Sequence, residues 1–148
     1  RPRLEAAARR LGLADQVTFQ GYRADARALM AGHRLYCHVS TMESFGIVLV
    51  EAMAEGLPVL AGAVGGIPEV FRAGREGEFW PLDDPSAAAD VLVGLMADTD
   101  LRLRLAAAGQ AHARAEFSAD ALGRQLLAFL DGATTRASRN RGRAQAKR

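Results

Sequence analysis

Apolar and polar residues follow two different periods along this chain, and these periods predict helices separated by short strands. In the opening segment Leu4, Ala7, Ala8 and Leu11 recur at intervals of three and four residues, which predicts an amphipathic helix ending at Gly12. Short apolar runs predict strands at 17–20, 35–39, 58–61 and 77–80. Further helices are predicted over 26–31, from Pro68, and over 85–98, 100–116 and 118–130. Strands that alternate with helices form parallel crossovers, so the predicted fold class is α/β.

Residues 39–56 form the most informative segment, because they join a predicted strand to a predicted helix through a short polar loop. The helix stops at Gly56, a natural residue for a left-handed helix exit. In open α/β sheets such a junction lies at the carboxyl ends of the strands, where ligands bind. The helix N-terminus at Gly46, Ile47 and Val48 would offer unpaired amides to an anion, and Gly46 would let a ligand approach the backbone closely.

Two carboxylates stand out in this segment. Glu43 lies at the loop, and Glu51 follows about two helical turns later, within a stretch that is apolar on nearly every side. A buried carboxylate is costly unless it is hydrogen-bonded. We therefore predict that Glu51 is mostly buried and that Glu43 lies at a cleft in the same groove. Taken alone, Glu51 has a plainer interpretation as a capped or ion-paired structural residue.

Other polar or flexible positions allow simpler interpretations. Asp25 is placed to cap the helix that follows it. The pair Gly65-Gly66 either lines a ligand cleft or makes a tight turn, and the sequence does not separate these two roles. The three histidines, His33, His38 and His112, have no metal-ligand spacing, so a structural or surface role is predicted for them. Cys37, the single cysteine, is predicted to fill core space in a reducing compartment.

Charge divides the 148 residues into two parts. The net charge is +2, but residues 133–148 hold six basic residues and no acid, which leaves residues 1–132 with a net charge of −4. We predict one domain over 1–132 and a basic, disordered tail over 133–148, because residues 134–148 contain no apolar side chain larger than alanine. Such a tail is most often a solvated end, although basic tails also contact anionic lipid or nucleic acid.

The spacing Glu43-x7-Glu51 resembles the signature of the retaining, GT-B-fold nucleotide-sugar glycosyltransferases, the group 1 family. The resemblance also rests on Ser-Phe-Gly after Glu43 and on Glu-Ala-Met-Ala-Glu-Gly-Leu-Pro-Val from Glu51. Further matching elements occur in the same order, and they are 17–22, 65–70 and Asp84-Pro85. The resemblance covers residues 4–129. It implies a Rossmann-like parallel sheet flanked by helices, the C-terminal half of a GT-B fold without its first strands.

The resemblance also implies roles for individual residues. Glu43 would contact hydroxyls of the transferred sugar as the catalytic carboxylate, and Glu51 would bind the ribose. Ser40 would shape the loop, while Tyr22 and Arg23 would lie near the base. The remaining donor-binding positions would be Phe45, Gly46, Ile47 and Val48.

The implied reaction transfers a sugar from a nucleotide-diphosphate donor with retention of configuration, without a bound metal or other cofactor. The acceptor, a glycan, lipid or small molecule, would be bound by an N-terminal domain that this sequence does not contain, so the chain alone is expected to be inactive. The expected location is the cytoplasm, with peripheral membrane contact as a further role and no specific nucleic acid partner. Two alternatives remain: a sugar-nucleotide epimerase, disfavoured by the Ser-Phe-Gly context, and a non-catalytic remnant or binding module.

Overall fold

A computed structural model describes the backbone of residues 1–145 and the side chains of residues 1–132. The strands within this range are β1 Tyr36–His38, β2 Val59–Gly62 and β3 Gly77–Trp80. The helices are α1 Pro2–Arg10, α2 Ala26–Met30, α3 Ile47–Ala54, α4 Ile67–Val70, α5 Pro85–Ala97, α6 Thr99–Phe117 and α7 Ala119–Gln145. None of the described helices combines the length and the apolar character needed to cross a bilayer.

The three strands form one parallel sheet in the order β1-β2-β3, and this confirms the predicted α/β class. Tyr36 pairs with Val59, and Val59 in turn pairs with Gly77. All four residues of β2 are buried, as expected for the central strand of a sheet covered on both faces. Because the strands are parallel, their carboxyl ends meet at one edge, and the loop that carries Glu43 leaves from this edge.

Helices cover both faces of the sheet. On one face α3 packs between the sheet and α6, and the fully buried side chains of this cluster include Leu49, Met53, Ile67 and Val59. On the other face Leu60 packs with residues of α5 and α6 in a smaller cluster. Burying one such side chain contributes about 1.5–3 kcal/mol, so these clusters fix α3 firmly on the sheet. The loop before α3 is therefore attached to a rigid helix.

The predicted strand at 17–20 is wrong: these residues are not in a strand, and Val17 is 40% exposed. Within residues 1–145, β1 pairs with β2 on one side, and no described strand pairs with its other side. A β-prone sequence becomes a strand only when a neighbouring strand accepts and donates its backbone hydrogen bonds. The described chain offers no such neighbour to 17–20.

The predicted cap of α2 is also wrong. Asp25 occupies the N-cap position, but its side chain makes no capping hydrogen bond. It instead accepts two hydrogen bonds from Arg23, at 2.7 and 2.6 Å. A guanidinium offers two charge-assisted donors to a carboxylate, which is stronger than one backbone amide.

The final helix extends further than the sequence predicted. The backbone is helical to Gln145, across most of the segment expected to be disordered. Alanine, arginine and glutamine are good helix formers, so they can continue a helix that has already started at Ala119. The domain boundary after residue 132 remains a prediction, and residues 146–148 lie outside the described residues.

The start of α5 is confirmed and gives a first testable prediction. The Asp84 carboxylate accepts hydrogen bonds from the amides of Ser86 and Ala87, both at 3.0 Å. We expect Asp84→Ala to lower the free energy of unfolding by about 1 kcal/mol, measured by urea denaturation. Asp83→Ala, which removes a neighbouring carboxylate outside the helix, is the control. Equal losses in both variants would show that the cap itself contributes nothing.

Candidate functional site

The loop between β1 and α3 holds a defined shape. The Ser40 hydroxyl donates a hydrogen bond of 2.6 Å to the Met42 carbonyl within this loop. Gly46 is buried and has φ +89°, a left-handed conformation that glycine adopts without strain. This turn starts α3 with no side-chain cap, so the first amides of the helix face the loop without a capping partner.

The Glu43 carboxylate is held at both oxygens. The Ser44 amide donates to Oε1 at 3.0 Å, and Oε2 lies 3.2 Å from His38 Nε2. Partial burial acts to raise the pKa of Glu43, but the hydrogen bonds from His38 and from the amides of Phe45 and Ser44 outweigh it and lower the pKa. Glu43 is therefore an oriented carboxylate that stays ionised at neutral pH.

His38 is a site residue that sequence reasoning did not identify as one. Its ring stacks on that of Tyr36 with centroids 6.2 Å apart, and its Nδ1 lies 3.4 Å from the Tyr36 hydroxyl. The only signal in the sequence was the two-residue spacing, which places both rings on one side of a strand that leads to the loop. The other two histidines contact backbone carbonyls: His33 that of Leu29 and His112 that of Val70.

The loop after β2 packs directly on the Glu43 loop. The Gly66 amide donates to the Glu43 carbonyl at 3.2 Å. A Cβ atom added at Gly65 would lie 1.7 Å from the Glu43 carbonyl oxygen, and one added at Gly66 would lie 2.3 Å from that of Ser44. Residues 65–66 form a turn, and the glycines allow its backbone to touch that of the Glu43 loop. Their role in lining a ligand cleft stays a prediction.

Glu51 borders a cavity of about 340 Å³ between α2, α3 and α6. The cavity is also lined by the cationic side chains of Arg27 and Arg114 and by the ring of Phe117. Glu51 is only partly buried, so the prediction that it is mostly buried is confirmed in part. The side of α3 that faces the sheet is apolar, and Glu51 lies on the side that faces away from the sheet. The volume falls in the usual range of ligand pockets. Nothing in the sequence pattern marked Arg114 or Phe117.

The pKa of Tyr36 is raised by burial and by both Glu51 and Glu43. Burial raises the pKa of its hydroxyl, and the charges of Glu51, then Cys37 and Glu43, raise it further. The fields of both glutamates therefore reach one side chain on β1. That Glu43 and Glu51 lie along one groove stays a prediction.

The remaining candidates fall into two groups. Phe45 packs edge-on against Phe117 with ring centroids 5.7 Å apart, and Ile47 lines the Glu51 cavity, so both join the site, while Val48 is partly buried in the first turn of α3. Tyr22 and Arg23 do not join it among the described contacts. Tyr22 is 94% exposed and Arg23 is paired with Asp25, on a loop between α1 and α2.

The described residues contain no group of three or more histidine, cysteine or acidic side chains arranged to hold a metal ion. The polar groups that meet in the loop at this edge of the sheet are the Glu43 carboxylate, backbone amides and the His38 imidazole. Such a set is suited to hydroxyl and phosphate oxygens.

Comparison with known proteins places this site in a family context. The family model described as "Glycosyl transferases group 1" matches residues 1–112. The D-inositol 3-phosphate glycosyltransferase of Streptomyces scabiei is 46% identical over 114 residues, which are 74% of this chain and 25% of that protein. This chain therefore spans about a quarter of that relative's length.

Two solved structures are similar in fold. HepE of Anabaena in complex with UDP-glucose is 33% identical and superposes with a TM-score of 0.80, over 88% of this chain and 36% of that one. The C-terminal domain of the group 1 glycosyl transferase LpcC from Francisella tularensis is 26% identical with a TM-score of 0.72. That superposition covers 80% of this chain and 62% of the LpcC domain.

Proposed function

Because this chain belongs to the group 1 glycosyl transferases, we propose that it forms the donor-binding half of an enzyme that transfers a sugar from a nucleotide-diphosphate donor with retention of configuration. One observation carries the proposal. The loop after β1 and the helix α3 that follows it carry three features in chain order: an oriented, ionised carboxylate at Glu43, the uncapped start of α3 and the cavity beside Glu51.

Each part of this arrangement matches one part of the donor. Glu43 accepts hydrogen bonds from hydroxyls of the sugar ring, since a carboxylate has about four lone-pair sites and the protein occupies three of them. The first amides of α3 receive diphosphate oxygens, helped by the positive end of the helix dipole. Glu51 accepts hydrogen bonds from the ribose diol, each worth about 1.5–3 kcal/mol for a charged acceptor.

The proposed transfer breaks the bond between the anomeric carbon and the donor phosphate oxygen. The acceptor hydroxyl forms the new bond on the same face, and its proton passes to the departing phosphate oxygen. The products are the glycosylated acceptor and a nucleoside diphosphate. Fixed amides stabilise the charge that develops on the diphosphate, so these steps require no metal from this chain.

The relatives support a nucleotide-sugar as the ligand, since HepE of Anabaena has been solved with UDP and with UDP-glucose. We further propose that the acceptor, a glycan, lipid or small molecule, is bound by a second domain and that the reaction takes place in the cytoplasm. A peripheral contact of residues 133–148 with anionic membrane lipid is proposed on their six positive charges alone.

Calorimetric titration of the chain with UDP, UDP-glucose and the corresponding guanosine and adenosine compounds tests the donor site. We expect Glu51→Ala to weaken binding of both the nucleoside diphosphate and its sugar conjugate by about 10–150-fold, because both carry the ribose. The control is Asp90→Ala, which removes an exposed carboxylate from α5 on the other face of the sheet.

The outcomes separate the two candidate functions. Binding that is weakened in Glu51→Ala and kept in Asp90→Ala supports the donor site. If the unmodified chain binds none of these compounds, the donor-binding proposal is overturned, and the chain is better described as a non-catalytic binding module.

A further inference from the structure

We propose that His38 is a positioning residue that sets the orientation of the Glu43 carboxylate toward the sugar ring of the donor. The inference rests on the proposed function, because it assigns the sugar-recognising geometry of the same site to one further side chain. His38 touches Glu43, and Glu43 is the residue that contacts the sugar in the proposed complex.

The contact between His38 and Glu43 is partly shielded from solvent. The exposed fraction is 17% for the His38 side chain and 27% for Glu43, and their polar atoms are 3.2 Å apart. A charged acceptor strengthens such a hydrogen bond, and partial burial reduces its screening by water. The Ser44 amide holds the other carboxylate oxygen at 3.0 Å. Two fixed points on two different oxygens prevent the carboxylate from rotating.

His38 can serve as a fixed point because it is itself held in place. Its backbone belongs to β1, where it pairs with Ala61 of the central strand. Its ring stacks on Tyr36, whose hydroxyl lies 3.4 Å from Nδ1. When the tyrosine hydroxyl donates to Nδ1, the proton of a neutral imidazole is on Nε2 and points at Glu43. Because His38 is fixed both by its strand and by Tyr36, it can hold the Glu43 carboxylate in a precise orientation.

The position of this support predicts a selective defect. Without His38, Glu43 keeps only its hydrogen bonds to the Ser44 and Phe45 amides and gains rotational freedom, so ordering it again on binding costs free energy. Glu43 faces the sugar in the proposed complex, whereas Glu51 and the start of α3 face the nucleotide. Loss of His38 should therefore weaken binding of the nucleotide-sugar and leave binding of the nucleoside diphosphate unchanged.

Titrations of UDP-glucose and UDP, with guanosine and adenosine counterparts in parallel, test this with four variants. We expect His38→Leu and His38→Asn to weaken binding of the sugar conjugate by roughly tenfold, with less than a twofold effect on the diphosphate. His38→Gln, whose longer amide can still donate to Glu43, should recover binding to within about threefold of the unmodified chain. His33→Leu, at an exposed histidine outside the site, should have no effect.

A double-variant cycle identifies Glu43 as the group through which His38 acts. In a Glu43→Gln background, His38→Leu should cause no further loss. An equal loss of affinity for the sugar conjugate and for the diphosphate would overturn the positioning role. So would a failure of His38→Gln to recover the binding that His38→Asn has lost.

If the thermal transition shows that His38→Leu does not fold, the Asn and Gln variants decide the question. An unmodified chain that binds none of the compounds overturns both this inference and the proposed function, whereas a loss that does not depend on the sugar overturns only this inference.

Discussion

Replacing Gly65 with alanine is expected to lower the free energy of unfolding by about 3 kcal/mol and to weaken binding of UDP-glucose. The added Cβ would lie 1.7 Å from the carbonyl oxygen of Glu43, so one of two backbone segments must move. Gly65 also has φ +53°, a conformation that costs an alanine about 1–2 kcal/mol by itself. Overpacking adds about 1–3 kcal/mol. The displaced segment carries Glu43, and stability and binding should therefore fall together.

Thermal unfolding measures the first effect, with an expected drop of about 10 °C for a domain of this size. Gly94→Ala is the matched control, since nothing lies within 4 Å of a Cβ added at this position in α5. That variant should gain up to about 1 kcal/mol, as alanine is the better helix former. A Gly65→Ala variant that unfolds at the same temperature as the unmodified chain would show that the two loops do not touch in solution.

The second large effect concerns Glu76, whose side chain is only 3% exposed. It accepts hydrogen bonds from the Arg72 backbone amide at 3.0 Å and from Arg72 Nη2 at 2.8 Å, and it also pairs with Arg75 at 3.1 Å. Glu76→Ala should therefore cost about 1–3 kcal/mol in urea denaturation at neutral pH, because the partly buried Arg72 amide loses its acceptor and two guanidiniums, each more than half exposed, lose their partner. Glu69→Ala, at an exposed acid on α4, should cost much less.

The lowered pKa of Glu76 also predicts how the free energy of unfolding changes as the pH falls. Burial acts to raise the pKa of Glu76, but the Arg72 hydrogen bonds and charge outweigh it and lower the pKa below the ordinary value of 4.5. A pKa that is lower in the folded state means that the stabilisation is complete above the unfolded pKa and is lost as the pH falls through the folded value.

Comparison of the two proteins across pH isolates this effect. The unmodified chain should lose more stability than Glu76→Gln between neutral pH and a pH below 4.5. Parallel losses in the two proteins would show that Glu76 does not titrate with a lowered pKa.

Elements marked by local chemistry could be predicted from the sequence alone. The left-handed exit after α3 needed only Gly56, which has φ +79°, and the start of α5 needed only the Asp84 carboxylate next to Pro85. The strand Gly77–Trp80 was predicted with its observed bounds. The order strand, loop, helix around Glu43 was likewise visible in the run of apolar and polar residues. These features depend on contacts between residues a few positions apart, which a sequence displays directly.

Features that depend on a distant neighbour required the tertiary structure. Residues 17–20 have a strand-like composition, yet no described strand pairs with them, so their backbone does not join the sheet. The role of His38 depends on the turn that brings Glu43 back over β1, and that turn is held by the contact of Gly65 and Gly66 with the Glu43 loop. The sequence by itself predicted which carboxylates and glycines are candidates for the site, because carboxylate spacing and glycine positions are local. The tertiary structure decided which side chains and backbone atoms hold them in place, because those partners come from other strands and loops.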